Sequence, residues 1–416
     1  MIRNDDLILA DGQYYSLDCH KTQLNNNVLV VGTSGSGKTR SIVTPNLLQA
    51  SGSYVVSDPK GNLYKKYGGY LKEQGYVVKK LDFVHPDRSV HYNPFHYIHS
   101  EQDIIKIAHL MIGDVREGSK EDPYWKQTAE TLLTSVISYL MSYTSVKYRN
   151  MSNLMKLILA CQPQDDDFKS KTAYDDIMAG VESENPNAFT LRQYKKYRMA
   201  PARTLMCTLS TATARLGMYE SRELCKMLED DTLEITDIGK RKTALFVVVS
   251  DTDRSMDTLV NIFFTQAMNE LCSYADDRCR DNCLPVPVRF IMDDFATNCM
   301  IDEFPRMISS IRSRGISTML MIQAESQLEA AYGRDGDTII GNCDTYVYLG
   351  GNDVKTAKAV SMRCDLPLKK ILNMPVGTNW IFRRGQEPVN ASNFNLDNYR
   401  SLRYGEKLPE QKNLVL

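Results

Sequence analysis

The chain has 416 residues, with 50 Lys and Arg against 51 Asp and Glu, which leaves a formal net charge of −1. This length predicts more than one domain, and a composition of 43% hydrophobic and 24% charged residues excludes a disordered chain. The balanced charge also excludes nucleic-acid binding through an overall basic field, so any such binding has to use a local basic surface.

The first clear motif in chain order is a glycine-rich loop that follows a short apolar strand. Val28–Val31 consists of valine and leucine, as expected of a buried parallel strand. The residues that follow match the phosphate-binding pattern G-x-x-x-x-G-K-[ST] at every required position. In such a loop backbone N–H groups surround phosphate oxygens, Lys38 reaches the β- and γ-phosphates, and the Thr39 hydroxyl binds Mg²⁺. The candidate residues of this nucleoside-triphosphate site are Gly32, Thr33, Ser34, Gly35, Ser36, Gly37, Lys38, Thr39 and Arg40.

A second apolar strand, Ser53–Ser57, leads into the segment Asp58–Gly61. A carboxylate at the end of a strand can bind Mg²⁺, so Asp58 is a further candidate cofactor-binding residue. The D-x-x-G spacing also occurs in GTPases, but the guanine-reading motif N-K-x-D is absent downstream. A regulatory GTPase is therefore disfavoured.

Residues 100–234 contain few strand-like runs, and helical periodicity replaces them. Asp122 and Pro123 provide a cap and a first-turn proline for one helix. The apolar residues that follow, from Trp125 to Leu140, recur on one helical face. This part of the chain therefore predicts a bundle of helices.

One stretch of this helical region is locally basic. Its basic residues, which no carboxylate interrupts, are Arg192, Lys195, Lys196, Arg198, Arg203 and Arg215. Tyr194 and Tyr197 lie among them. Such a stretch can contact a nucleic-acid backbone and stack a base, or it can be an ordinary exposed helix face, and the sequence leaves both interpretations open.

The second half of the predicted site lies far downstream. Val288–Met292 is an apolar strand that ends at Asp293 and Asp294. Metal-assisted phosphoryl transfer uses two such carboxylates, the first to hold Mg²⁺ and the second to orient the attacking water. The strand Thr318–Ile322 ends at Gln323, whose amide can sense the γ-phosphate. The candidate catalytic residues are therefore Lys38, Asp293, Asp294 and Gln323, and the candidate metal ligands are Thr39 and Asp293.

The distance along the chain between the two halves of the site indicates an insertion. Lys38 and Asp293 are separated by 255 residues, whereas one βαβ unit takes about 30 residues or more. The sequence therefore predicts an α/β nucleotide-binding domain, formed by residues 1–99 and 235–416, that is interrupted by an all-α domain of residues 100–234.

Ordered segments over about residues 24–400 carry a family likeness. They are Gly32–Thr39 with Pro45–Leu47 after it, Ser57–Gly61, Tyr92–Phe95, Asp122–Trp125, Phe246–Asp253, Asp293–Phe295, Arg312–Arg314, Gln323–Leu328 and Ile339–Asp344. With these segments the chain resembles the type IV coupling proteins, which are TraG/TraD-like ATPases of conjugation, and more distantly the FtsK-like DNA translocases.

The resemblance implies a RecA-like P-loop NTPase domain with a mainly parallel, twisted sheet and an inserted all-α domain. It also implies a homo-hexameric motor that uses ATP and Mg²⁺ at the mouth of a type IV secretion channel. Such a motor binds relaxase and relaxosome proteins and passes single-stranded DNA to the channel components. Subunits of these rings share each ATP, so Arg312 is the candidate arginine finger supplied in trans, with Arg314 second, and Gln323 takes the sensor role.

Two features depart from the family pattern. Members usually carry Asp-Glu where this chain has Asp293 and Asp294, and an aspartate carboxylate falls short by roughly 1.5 Å, a displacement that can slow catalysis about a hundredfold. We therefore expect ATP hydrolysis that is slow or stimulated by a partner. Members also usually begin with membrane helices, whereas no apolar run here approaches the roughly 18 residues that cross a bilayer. We expect a cytoplasmic protein that is peripheral to the inner face of the cell membrane.

An alternative function keeps the nucleotide site but not the motor. In this alternative the chain is a nucleotide-dependent adaptor that docks relaxase complexes and hydrolyses little ATP, and the Asp294 departure favours it. A metabolic kinase is disfavoured, because the sequence offers no evident site for an acceptor substrate.

Overall fold

The computed structural model describes residues 2–113, 123–163, 169–297 and 299–404. These residues form two compact units. The first comprises the chain up to Lys80, Glu234–Thr252 and the part from Ala267 on, and the second comprises Leu81–Leu233 and Asp253–Gln266. Among the described helices, none combines the length and the apolar character needed to cross a membrane.

The strands in chain order are β1 (Asp6–Ala10), β2 (Gln13–Ser16), β3 (Val28–Val31), β4 (Ser53–Pro59), β5 (Val77–Asp82), β6 (Thr243–Val249), β7 (Val288–Met292), β8 (Ile316–Ile322), β9 (Thr345–Tyr348), β10 (Thr378–Arg383) and β11 (Val389–Ser392). The helices in chain order are α1 (Cys19–Thr22), α2 (Thr44–Leu48), α3 (Asn62–Glu73), α4 (Glu101–Ile112), α5 (Pro123–Tyr143), α6 (Met151–Leu159), α7 (Ala173–Glu184), α8 (Phe189–Arg198), α9 (Ala202–Leu216), α10 (Arg222–Met227), α11 (Asp237–Lys240), α12 (Asp257–Arg278), α13 (Phe304–Met307), α14 (Ser326–Tyr332), α15 (Gly336–Gly341), α16 (Val354–Cys364), α17 (Leu368–Leu372) and α18 (Tyr399–Tyr404).

The first unit is built around a nine-stranded sheet with the order β11-β10-β9-β3-β8-β7-β4-β6-β5. Neighbouring strands from β9 to β6 in this order pair in parallel. Strand β10 pairs antiparallel with both β9 and β11, so these two last strands extend the sheet beside β9. Strands β1 and β2 form a separate antiparallel hairpin. This mainly parallel sheet, with helices between its strands, confirms the predicted α/β class.

Parallel pairing brings the carboxyl ends of β3, β4, β7, β8 and β9 to one edge of the sheet. Every residue of β3 and β7 is buried, because helices cover both faces of such a sheet, and this explains their uninterrupted apolar sequences. The phosphate loop, Asp293 and Gln323 directly follow three of these strands and therefore meet at the same edge.

The core under the phosphate loop anchors the helix that follows the loop. Val28 and Val30, which share one face of β3, belong to the same buried cluster as Ile42 and Leu47. The helix begins with a wide π-type turn at Thr39–Val43 and continues as α2. Pro45 lies in the first turn of α2, directly after the widened turn, and the helix ends soon after it, at Leu48.

The second unit is helical, and α5 lies at its centre. Leu132, Leu133, Val136, Ile137 and Leu140 are at most 1% exposed and recur every three or four residues, which confirms the predicted apolar face. The predicted cap of this helix, Asp122, lies outside the described residues.

The unit begins at Leu81 and takes in Asp253–Gln266, whereas the sequence predicts an all-α domain of residues 100–234. The ring of buried Tyr92 contacts Phe263 edge-on with 5.3 Å between the centroids. The Tyr92 hydroxyl donates to Gln266 Oε1 over 2.5 Å. These contacts attach the first turns of α12 to the segment before α4, a pairing that helical periodicity alone does not encode.

The locally basic stretch of this unit does not offer its tyrosines for stacking. Tyr194 and Tyr197 are 4% and 2% exposed, and the Tyr194 hydroxyl donates to Asp175 Oδ1 over 3.0 Å. Lys195 forms an ion pair with Glu182 at 2.6 Å. The tyrosines therefore belong to the core, and the interpretation that they stack a nucleic-acid base is wrong.

Candidate nucleotide-binding site

The phosphate loop adopts a conformation that favours glycine at three positions. Gly35 and Gly37 have φ values of +78° and +93°, in a region that other residues rarely occupy. A Cβ atom on Gly32 would lie 2.7 Å from Ser36 Oγ and 3.0 Å from Leu349 Cβ. The loop therefore closes tightly on itself, as a loop does when its backbone N–H groups surround an anion.

Lys38 is folded into this loop. Its Nζ donates to the Gly32 carbonyl over 2.5 Å and to the Thr33 carbonyl over 3.1 Å, and the residue is only 7% exposed. Burial lowers the pKa of Lys38, and the charges of Asp293 and Asp294 oppose this by favouring the ammonium form. The cation is thus held between the loop and the two predicted catalytic carboxylates.

The two predicted metal ligands are in direct contact. Thr39 Oγ1 donates to Asp293 Oδ2 over 3.0 Å, although 254 positions separate these residues in the sequence. Thr39 begins the helix after the loop and Asp293 follows β7, so the contact joins the two halves of the site.

Asp293 carries its charge in unfavourable surroundings. Burial is the main cause that raises its pKa, and the nearby charge of Asp294 raises it further. The hydrogen bond from Thr39 and the charge of Lys38 act in the opposite direction. A divalent cation at these oxygens would relieve the same electrostatic cost.

Asp294 and Gln323 flank this contact. Asp294 is partly buried and has a φ of +51°, and its backbone N–H donates to Asp293 Oδ1 over 3.2 Å. Gln323 is exposed directly after β8, the strand between β3 and β7. Its backbone N–H donates to Gln327 Oε1 over 2.7 Å. The structure therefore places the predicted sensor between the phosphate loop and the predicted catalytic strand end.

Asp58 has a different local role from the carboxylate after β7. Its Oδ1 accepts the Leu63 N–H over 3.0 Å and its Oδ2 accepts the Tyr64 N–H over 2.8 Å. Both oxygens thus cap the N-terminus of α3. Burial raises the pKa of Asp58, and the charge of Asp293 contributes to the same shift, so Asp58 lies near the site with its oxygens already engaged.

The predicted arginine fingers lie at the opposite edge of the sheet from the phosphate loop. Arg312 precedes β8, and its Nη2 donates to the Cys19 carbonyl over 3.2 Å. Arg314 forms a two-pronged ion pair with Asp276, at 2.8 and 2.7 Å. The structure does not bring either arginine to the nucleotide site of its own chain.

Several contacts of the loop come from residues that the sequence patterns did not indicate. The Thr33 N–H donates to the Gly350 carbonyl over 3.2 Å, just after β9, whose apolar sequence could have been assigned to a strand ending at this edge. Asn393 Nδ2 donates to the Ser36 carbonyl over 3.4 Å, and Arg40 forms an exposed ion pair with Asp397 at 3.3 Å. The residues at positions 393 and 397 carry no sequence signal of such contacts.

A family model described as "Type IV secretory system Conjugative DNA transfer" matches residues 2–365. The chain belongs to this family. It is 23% identical to the conjugal transfer protein TraG of Escherichia coli over 372 residues, which are 84% of this chain and 56% of that protein. This family member thus spans a little over half the length of that relative.

Two solved structures of the plasmid coupling protein TrwB share the fold of this family member. The complex of TrwB with the non-hydrolysable ATP analogue ADPNP matches with a TM-score of 0.66 and 16% identity, over 90% of this chain and 86% of that chain. The complex with ADP and Mg²⁺ matches with a TM-score of 0.62 and 16% identity, over 88% and 85%. The RecA-like P-loop fold and the family that the sequence resembles are thereby confirmed.

The residues at this site suit a nucleotide phosphate and a hard cation. Among the described residues, Ser36 Oγ is a buried hydroxyl without a hydrogen-bond partner, and a phosphate oxygen would provide one. Thr39 and Asp293 present adjacent oxygen atoms, which are the donors that Mg²⁺ prefers.

Proposed function

We propose that this chain is an ATP-driven coupling protein of a conjugative type IV secretion system, which recruits relaxase-bound DNA and moves single-stranded DNA to the channel. The observation that carries the proposal is the 3.0 Å hydrogen bond between Thr39 and Asp293. It joins the phosphate loop to the strand end that carries two carboxylates, the arrangement that phosphoryl transfer requires.

Each residue of the site has a defined task in ATP hydrolysis. The loop N–H groups and Lys38 bind the β- and γ-phosphates, and Gln323 senses the γ-phosphate. Thr39 and Asp293 would hold Mg²⁺, which would neutralise phosphate charge. Asp294 orients the attacking water and accepts its proton.

We further propose that the working form is a homo-hexamer at the inner face of the cell membrane, in contact with relaxosome proteins and channel components. The position of Arg312 supports a ring, because an arginine at the far edge of the sheet can act only on the nucleotide of another subunit. An arginine supplied in this way stabilises charge in the transition state.

ATP turnover with and without single-stranded DNA tests the motor. We expect DNA to stimulate the wild-type chain, and we expect Lys38→Ala to abolish turnover in both conditions, because the loop loses the cation that contacts the phosphates. Equal turnover in wild type and Lys38→Ala would contradict an active site at this loop.

The conformation of Asp294 supports a second candidate function, the nucleotide-dependent adaptor that hydrolyses little ATP. Its backbone is left-handed, with a φ of +51°, and its side chain is one methylene shorter than the glutamate usual in the family, which limits the reach of the carboxylate. In this case the chain binds ATP tightly but turns over slowly, with or without DNA.

Asp294→Glu and Asp294→Ala separate the two candidates. If reach limits hydrolysis, Asp294→Glu should raise turnover at least about tenfold, because a misplacement of roughly 1 Å can cost a hundredfold. If neither variant changes turnover, Asp294 is not the residue that orients water. ATP binding, measured by calorimetry, should be similar in all three chains.

A further inference from the structure

The phosphate loop is contacted by a part of the chain that lies beyond the family match. That match ends at residue 365, whereas Asn393, which follows β11, donates from Nδ2 to the Ser36 carbonyl over 3.4 Å. We infer that Asn393 is a positioning residue of the nucleotide site, which fixes the Ser36–Gly37 peptide so that its N–H faces the bound phosphates. This inference rests on the proposed function, since it assigns a further residue to the same site.

The geometry of one peptide group supports this role. The peptide between Ser36 and Gly37 is trans, as the described chain contains no cis peptide bonds, so its C=O and N–H point in opposite directions. Because the Ser36 carbonyl oxygen is directed to Asn393, the Gly37 N–H is directed away from Asn393, which under this inference is the side of the bound phosphates. A reversed peptide would present a carbonyl oxygen to the phosphates instead of a donor.

Because Gly37 can adopt many backbone conformations, this peptide could reverse unless a contact such as that with Asn393 holds it. Its φ of +93° is open to glycine at little cost, and glycine also populates many other conformations. A Cβ atom at this position would lie 3.6 Å from Asn393 Nδ2, so the amide lies directly beside the flexible residue. The contact therefore restricts a glycine of the loop that could otherwise adopt other conformations.

Asn393 is itself held in one orientation. Its backbone N–H donates to the Gly377 carbonyl over 2.7 Å, and its Oδ1 accepts a hydrogen bond from Asn379 Nδ2 over 3.1 Å. Asn379 is fully buried and also donates to the Leu9 carbonyl over 3.2 Å. Because Oδ1 is engaged with Asn379, the NH₂ group of Asn393 faces the loop.

Two substitutions at position 393 and one matched control test the inference. Asn393→Leu removes the donor at similar size, and Asn393→Asp keeps the acceptor for Asn379 but places a carboxylate against the Ser36 carbonyl. Asn390→Ala is the control, because Asn390 donates to the Asn379 carbonyl over 3.1 Å and belongs to the same strand pair without reaching the loop.

The measurement is calorimetric binding of ATP and of pyrophosphate in Mg²⁺, together with the thermal unfolding midpoint without ligand. Loss of one hydrogen bond should raise the Kd of Asn393→Leu roughly fivefold. We expect the same factor for pyrophosphate, which reports on the phosphate loop without a nucleoside. Asn393→Asp should bind still more weakly, KM for ATP should rise more than kcat falls, and Asn390→Ala should bind like wild type.

The outcomes distinguish this inference from the proposed function. Wild-type affinity in both position-393 variants overturns the inference, and so does an equal loss in Asn390→Ala, which would indicate a general effect of the strand pair. If Asn393→Leu does not fold, the comparison of Asn393→Asp with Asn390→Ala decides. Absence of ATP binding in the wild-type chain would overturn the proposed function, and the inference with it.

Discussion

At the scale of single residues, the charge of Asp293 lowers the stability of the ligand-free chain. Its carboxylate is partly buried beside a second carboxylate, and both conditions raise its pKa. A group in these surroundings destabilises the ligand-free chain whenever it is ionised. This cost agrees with the proposed role of Asp293 as a Mg²⁺ ligand, because functional residues often lower the stability of the fold that carries them.

Asp293→Asn should therefore raise the thermal unfolding midpoint of the ligand-free chain at pH 7 while it abolishes ATP turnover. The pKa of Asp293 is raised above the ordinary value of about 3.9, so the destabilisation is complete above the folded-state pKa. It disappears as the pH falls below the unfolded-state pKa. The gap between the midpoints of variant and wild type should consequently close as the pH is lowered from 7 towards 4.

Asp281→Asn is a suitable control, because the Asp281 side chain is 86% exposed. Its midpoint should follow that of wild type at every pH. Identical midpoints for Asp293→Asn and wild type at pH 7, or a gap that widens towards low pH, would contradict the assigned cost of the buried charge.

At the scale of elements, the phosphate loop depends on close approach to the strand beside it. Gly32 directly follows β3, and a Cβ atom at this position would lie 2.7 Å from Ser36 Oγ and 3.0 Å from Cβ of Leu349, which follows β9, so its neighbours would have to move. Gly32→Ala should therefore displace the loop and weaken ATP binding by more than about tenfold, since charge-assisted hydrogen bonds to phosphate are lost.

Gly69→Ala is the matched control for this substitution. A Cβ atom on Gly69, within α3, would meet nothing within 4 Å. This change should leave ATP binding intact and stabilise the chain by up to about 1 kcal/mol, because alanine favours helix. Calorimetric ATP binding and chemical denaturation of both variants measure the two effects. Unimpaired ATP binding by Gly32→Ala would contradict the described packing of the loop.

Sequence patterns predicted those parts of the site that lie at strand ends. The strands Val28–Val31 and Val288–Met292 have the predicted bounds, and their parallel pairing through β8 brings Lys38 and Asp293 to one edge as the motifs require. These elements are recognisable because each combines a local apolar run with a local motif.

The remaining contacts depend on tertiary packing and have no local signature. Asp58 and Asp293 both lie at the ends of apolar strands. After Asp58, however, the chain turns through Lys60, whose backbone is left-handed, and the Asp58 carboxylate accepts a hydrogen bond from the first turn of α3. Tyr194 is buried although basic residues surround it in the sequence. Asn393 reaches the loop only because β10 and β11 are added to the sheet beside β9. Periodicity and spacing contain no information on such long-range pairs.

At the scale of the whole molecule, the account requires more than one copy of the chain. Arg312 lies at the opposite edge of the sheet from Lys38, so under the proposed finger role a neighbouring subunit has to supply this arginine to the nucleotide site. Arg312→Ala and Lys38→Ala should each lack ATP turnover, whereas a mixture of the two should recover part of it. In mixed rings an intact Lys38 site can receive Arg312 from its neighbour.

Arg306→Ala, which removes an exposed arginine of α13, serves as the control and should keep wild-type turnover. A mixture of Arg314→Ala and Lys38→Ala examines the other candidate. If ATP turnover recovers in the mixture with Arg314→Ala but not in the mixture with Arg312→Ala, the arginine finger is Arg314. Full turnover by Arg312→Ala alone would exclude Arg312 as the finger.

The most direct test of an ATP-driven ring is the mass of the particle in solution, measured by light scattering with ATP and single-stranded DNA. The account predicts that the wild-type chain of 47.3 kDa assembles into a particle of six copies when both ligands are present, and that Lys38→Ala does not. A wild-type chain that stays monomeric under every condition, or a Lys38→Ala variant that assembles equally well, would contradict it.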